Sequence, residues 1–267
     1  MSGINAIGTT DYSWLFKTDT KKQDSISRLW NSYGNYQSNA QTSLSGLSEI
    51  NANLKSVLAS YEEAKNSFNL EFEENMSALS ESSKKIQKFS FSVPKDGAIT
   101  KTETTDENGI ISSTTTYSKD LQSALDVVSD FVSNYNSSIK FFNDNASVSN
   151  RVSNLATVFG DATYRASSYE SIGLTVNSVG MIEINEEVLA NAIVDNPDRV
   201  SGLLGEGGLA SKADSHISYA NSQYDKLFPS ADKMLGNQLS TAAIYTGNAY
   251  RNMMAYATVG NLVNMLF

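Results

Sequence analysis

Few side chains in this sequence could do chemistry. His216 is the only imidazole available as a base or metal ligand, and cysteine is absent. That absence removes thiolate nucleophiles, Cys-ligated zinc, iron–sulfur clusters and disulfides. Gly202, Gly205, Gly207 and Gly208 superficially resemble a phosphate-cradling loop. They lack the Lys-Ser/Thr ending and follow no strand, so they read as a flexible joint between helices. Asp106, Glu107 and Asn108 could touch Ca²⁺, but calcium-loop spacing is missing and a hairpin tip is the simpler reading. The carboxylate pairs Glu62-Glu63, Glu73-Glu74 and Glu186-Glu187 are adjacent on helical stretches. Adjacent helical residues diverge by roughly 100°, so these pairs do not converge on one substrate. No nucleophile elbow, Walker loop, H-E-x-x-H or dinucleotide fingerprint occurs. The expectation is a protein that is not an enzyme and takes no cofactor and no metal. His216 reads as a solvated residue flanking an apolar row.

Those rows dominate the ends of the chain. From about Asp24 to Ile86 there is no proline, and glycine occurs only at Gly34 and Gly46. Ile26, Tyr33, Ala40, Leu47, Leu54, Tyr61 and Phe68 recur at seven-residue intervals. Leu29, Tyr36, Ile50, Val57 and Ala64 form a second row three residues on, interrupted by Ser43. This spacing predicts the a/d seam of a left-handed coiled coil. After Phe68 the spacing becomes Phe72, Met76, Leu79, a stutter. A single helix of this length would reach roughly 90 Å; the alternative is two antiparallel helices broken near Gly34 or Gly46. Ala210, Ala213, Ile217, Ala220, Tyr224 and Leu227 offer a matching seam until Pro229 breaks it. A last helical stretch from about Asn237 carries Tyr245, Ala249, Tyr256, Val259, Val263 and Leu266. The predicted assembly seam comprises Ile26, Tyr33, Leu47, Leu54, Tyr61, Phe68, Ile217, Tyr224, Tyr256 and Val263.

Between the ends the period changes to two. Phe89, Phe91 and Val93 alternate with polar residues as a strand stopped by Pro94, and Asn108-Gly109 joins two Thr/Ile-rich runs as a hairpin. Ser118 is placed to cap a helix carrying Leu121, Leu125, Val128, Phe131, Val132 and Tyr135. A shorter helix is expected near Val152–Phe159, and a second hairpin around Asn177 to Gly180. Asn185 then caps a helix, and Asn196-Pro197 starts another. The predicted fold class is α+β: long coiled-coil helices from both chain ends form a stalk around a small middle domain of hairpins and short helices. The expected divisions are an extension at 1–22, a coiled-coil helix at 23–87, the α+β domain at 88–208 and stalk helices at 209–267. With 267 residues and a net charge of −9, no dense basic surface for nucleic acid is expected. No membrane span is expected either, because Asn237, Asn248, Asn252, Asn261 and Asn264 interrupt the apolar carboxyl end. The opening residues lack the basic and apolar regions of a cleaved secretory signal.

Within the middle region, FVSNYNSSIKFF (Phe131–Phe142) is followed by SIGLTVNSVGMIEINEEVLANAIVDNPDRVSGLLGEGGLA (Ser171–Ala210). This ordered series resembles the carboxyl-terminal region of flagellar hook-associated protein 2, the filament cap. The matches are Phe131, Val132, Tyr135 and Asn136; Ile172, Gly173, Gly180, Ile182 and Ile184; then Leu189, Ala192, Asn196, Pro197, Val200 and Leu203. The resemblance implies a structural component of the bacterial flagellum, a reduced or divergent cap-like member that assists flagellin assembly. It further implies a homo-oligomer with flagellin or other hook-associated proteins as partners, and an export chaperone. Location outside the cell would be reached by flagellar export without a cleavable signal. The competing expectation is a secreted helical surface protein acting as an adhesin or binding module.

Overall fold

The computed structural model describes residues 28, 29, 31, 47–105 and 111–235. The expectations on residues 1–22, Ile26, Tyr33, the Asp106–Asn108 tip, the Asn108-Gly109 turn and the helix from Asn237 with Tyr256 and Val263 lie outside these residues. The described chain is α+β, mostly helical with two small antiparallel hairpins. It divides into two compact units. One is Glu71–Leu227; the other contains the described residues of Lys17–Leu70 and Phe228–Phe267.

Helix α1 runs Leu47–Lys88. Its apolar spacing dictates a buried stripe of Val57, Tyr61, Ala64, Phe68, Phe72, Met76, Leu79 and Ile86. The consecutive four-residue steps from Phe68 to Phe72 to Met76 are the stutter read from the sequence. In the unit containing Phe228, the Tyr61 and Phe68 rings pack on Phe228 at 5.6 and 5.4 Å between centroids. The Tyr61 hydroxyl donates to the Pro229 carbonyl at 2.9 Å. Burial, then Glu62, push that hydroxyl up to about 12, so it stays a donor. Leu29 is fully buried, and Arg28 pairs with Glu63 at 2.8 Å.

The unit Glu71–Leu227 is built on helix α2, Lys119–Asp144. Ser118 caps it by accepting from the Leu121 amide at 3.3 Å, as its sequence position predicts. Strands β1 (Ile99–Thr105) and β2 (Ile111–Tyr117) precede α2 and pair from Ile99↔Tyr117 to Thr105↔Ile111. Helix α3, Asn150–Phe159, leads into a 3₁₀ turn at Gly160–Arg165 and the short helix α4, Ala166–Glu170. Strands β3 (Leu174–Val176) and β4 (Ile182–Ile184) form the second hairpin. Helices α5 (Glu186–Asp195) and α6 (Pro197–Leu204) follow, capped by Asn185 and Asn196. Helix α7 spans Leu209–Gln223, a 3₁₀ turn spans Tyr224–Lys226, and the short helix α8 spans Ala231–Leu235. An aromatic chain runs through the core, with Phe72 against Phe141 and Phe142 at 6.2 Å and Phe142 against Phe159 at 4.7 Å. Each such ring removed from water contributes about 1.5–3 kcal/mol.

The structure corrects two expectations and leaves a third unshown. The described residues do not display long coiled-coil terminal helices. Helix α7 ends at Gln223 before Pro229, and within each unit the α1 stripe is covered by side chains of that same unit. An a/d row needs an apolar partner, and intrachain partners serve as well as a second chain. Phe89–Val93 joins no sheet among the described residues. Its side chains alternate in burial, with Phe91 inside and edge-on to Phe89 at 5.2 Å, but its backbone finds no strand to pair with. The glycines of 205–208 form a packed turn, in which Gly205 and Gly208 are buried and the Gly205 amide donates to Ser201 O at 2.7 Å.

The small hairpin cannot complete its own hydrogen bonding, and Asn136 of α2 does it instead. The Asn136 Nδ2 donates to Ile182 O at 2.7 Å, and the Ile182 amide donates back to Asn136 Oδ1 at 2.8 Å. Asn136→Ala should therefore strand a buried donor and acceptor, at a cost of about 2–4 kcal/mol. Urea unfolding of the full chain measures it. A loss below about 0.5 kcal/mol, the range of ordinary surface substitutions, would show the pair to be dispensable.

Candidate assembly site

The structure places the predicted seam residues as follows. Leu47 and Leu54 lie in α1. Tyr61 and Phe68 are buried in one unit, Ile217 in the other, and Tyr224 is half-buried in the latter. Ile217 and Tyr224 meet the α1 residues Phe72 and Met76 in an open groove of about 660 Å³. Ser77, Ser80 and Asn221 line it as well, and Glu73, Glu81 and Lys84 are exposed at its rim. The Tyr224 hydroxyl donates to Glu73 Oε1 at 2.8 Å, and its ring lies 5.3 Å from that of Phe72. Burial and then Glu73 push the hydroxyl up to about 12.

Beside it, the residues of the Phe131–Ile182 series come together. Tyr135 and Asn136 are successive on α2 and so point to different elements. The Tyr135 hydroxyl donates to Phe159 O at 2.6 Å, holding the end of α3, while Asn136 holds β4. Burial, then Asp161 and Tyr169, push the Tyr135 hydroxyl up, so it remains protonated and a donor. The two clamped elements touch through glycine. Gly180, at φ +91°, lies so close to Gly160 that a Cβ on either would meet backbone of the other's loop. Asn177 shapes the turn before it, its Oδ1 accepting from the Val179 and Met181 amides at 3.0 Å. Phe131, Val132, Ile172, Leu189 and Val200 fill the surrounding core.

The sharpest electrostatic feature was missed in the sequence. Asp161, on the 3₁₀ turn, meets Lys212 Nζ at 3.1 Å and His216 Nε2 at 3.5 Å, both through Oδ2. Lys212 and His216 are four residues apart and share a face of α7, which is legible in sequence; Asp161 is distant in the chain and is not. His216 is not the solvated flank expected. Its side chain is 15% exposed and its ring lies 5.4 Å from Phe159. The reason is that α7 packs on α3 as well as beside α1, so it buries a wider face than one narrow row. His216 Nδ1, Asp161 Oδ1 and the Tyr169 hydroxyl are buried without a hydrogen-bond partner among the described residues. Within those residues no group of three or more His, Cys, Asp or Glu could hold a metal, and no helix is long and apolar enough to cross a membrane.

Burial raises the Asp161 carboxyl, but His216 and then Lys212 outweigh it and hold it below the usual carboxylate range. A carboxyl depressed by folding stabilises the fold above the unfolded value near ~3.9, and that stability is lost as pH falls through the folded value. Asp161→Asn should therefore flatten the loss of stability below about pH 4. Urea midpoints measured across acid pH test this. An unaltered acid slope would mean that the contacts to Lys212 and His216 carry no coupling.

Comparison of the chain with protein-family models, curated proteins and solved structures finds no match.

Proposed function

We propose that this chain is a structural component of the bacterial flagellum, a filament-cap-like hook-associated protein that acts by assembly. The observation that carries the reading is convergence. The residues of the resemblance are spread from Phe131 to Leu203, yet Tyr135, Asn136, Gly180 and Ile182 form one clamp and Phe131, Ile172, Leu189 and Val200 form its core. The residues that carry the resemblance thus lie together in one compact unit, which supports the reading. The sparse chemistry supports assembly over catalysis.

In this reading, segments from both chain ends pack as coiled-coil stalk helices among neighbouring subunits, with Ile26, Tyr33, Tyr256 and Val263 in their seams. Ile217 and Tyr224 stand at the groove where a neighbouring helix seats. The partners are further copies of the chain, flagellin or other hook-associated proteins, and an export chaperone. Export runs through the flagellar route to the outside of the cell. A chain without cysteine needs no disulfide to be undone before passing unfolded.

Expression in a motile bacterium lacking its filament cap should restore filament growth and reduce loss of unpolymerised flagellin to the medium. A form lacking Ala249–Phe267 should keep the thermal transition of the α+β unit but sediment as a smaller species and fail to restore filaments. If the exported, folded full-length chain leaves filament growth unchanged, the flagellar reading is wrong. Binding of that same chain to host or cell surfaces would then favour the adhesin.

A further inference from the structure

The hairpin β1–β2 is a two-stranded ribbon, a number of strands that is marginal in water on its own. Thr100, Lys101, Thr102 and Glu103 of β1 are exposed, as are Ser113, Thr114 and Thr116 of β2. The backbone decides which groups are spare. The Ser118 amide donates to Ala98 O at 2.8 Å, so these two residues face each other as a hydrogen-bonded pair. By the alternation of an antiparallel ladder, Thr100↔Thr116 and Thr102↔Thr114 are hydrogen-bonded pairs as well. The amides and carbonyls of Ile99, Lys101, Glu103 and Thr105 therefore point away from β2. Among the described residues no third strand receives them.

We infer that this β1 edge pairs with the β1 edge of a second copy of the chain, antiparallel about a two-fold axis at Thr102. In that register the outward residues face one another: Lys101 lies opposite Glu103 of the second copy, Glu103 opposite its Lys101, and Ile99 opposite its Thr105. The two Thr102 residues meet on the axis as a non-hydrogen-bonded pair. Charged side chains on an edge ordinarily repel an added strand. Here the two charges are opposite in sign and two residues apart, so the edge is complementary to itself. Strand β2, Ile111–Tyr117, carries no charge and has no such selection. Lys101 also bonds Glu187 of α5 at 2.6 Å, which ties one face of the ribbon to its unit. The product is a four-stranded sheet with identical halves. This contact lies on a different element from the helical seams and does not depend on the flagellar reading.

The absence of cysteine allows a residue-specific test on the full chain. Cα atoms of a non-hydrogen-bonded pair lie about 4.5 Å apart, within disulfide range. Under mild oxidation Thr102→Cys should give a covalent dimer, whereas Thr114→Cys on β2 and Ser90→Cys outside the ribbon should give little. In the Thr102→Cys background, adding Lys101→Glu or Glu103→Lys should each cut the yield about fivefold by placing like charges opposite each other. An equimolar mixture of those two variants should restore it, because the mixed pair is again complementary. Glu103→Pro should also abolish it while the hairpin stays intact, since only an outward amide is removed. Equal cross-linking at all three cysteine positions, charge variants that cross-link like the parent, or a mixture that recovers nothing would each overturn the proposal. A helix-driven oligomer cannot imitate the mixture result.

Discussion

A hairpin of two three-residue strands cannot bury its outer edge without a hydrogen-bond partner, and much of the unit Glu71–Leu227 follows from how that constraint is met. The Asn136 carboxamide presents a donor and an acceptor side by side, the same pair a neighbouring strand would offer, and both reach Ile182. This substitution of a side chain for a strand works only if α2 is held at a fixed height and rotation against β4. Tyr135 supplies that restraint by anchoring the same helix turn to Phe159 O. Because successive helical residues diverge, one dipeptide can clamp two elements, and Gly160 and Gly180 let those elements meet at backbone distance. A larger residue at either glycine would separate what Tyr135 and Asn136 draw together.

The charge distribution around this clamp is economical. Of the carboxylates, Asp161 is held below its usual range, and it sits where the end of α3 meets α7. The contact joins the same elements as the tilted packing of His216 on Phe159. Hydrogen bonding at Phe159 O, ring packing on Phe159 and the ion pair at Asp161 thus act within three consecutive residues. That density packs α7 into the unit.

The apolar rows of α1 show how one pattern can serve two ends. A heptad row states that a helix buries one stripe; it is silent about what covers it. In the described chain Phe228 covers Tyr61 and Phe68 in one unit, and Phe141, Phe142 and Tyr224 cover Phe72 in the other. The groove at Ile217 and Tyr224 lies over this covered stripe, with Ser77, Ser80 and Asn221 along it.

Local chemistry was legible in the sequence wherever the signal is short-range. Ser118, Asn185 and Asn196 each cap the helix their position announces, because a cap needs only a side-chain oxygen three residues before an unsatisfied amide. The second hairpin and the stutter after Phe68 were equally readable, since period and turn type are carried by adjacent residues. Tertiary structure alone decided the rest. Phe89–Val93 has the alternation of a strand but no ladder, because pairing requires a distant partner that alternation cannot specify. His216 was expected in solvent and lies instead beside Asp161 and Phe159, because a second packed helix widens the buried face of α7. The partner of Asn136 is 46 residues away in the chain. Sequence patterns determine which groups need partners, but only the packing of helices and hairpins decides which partner each one meets.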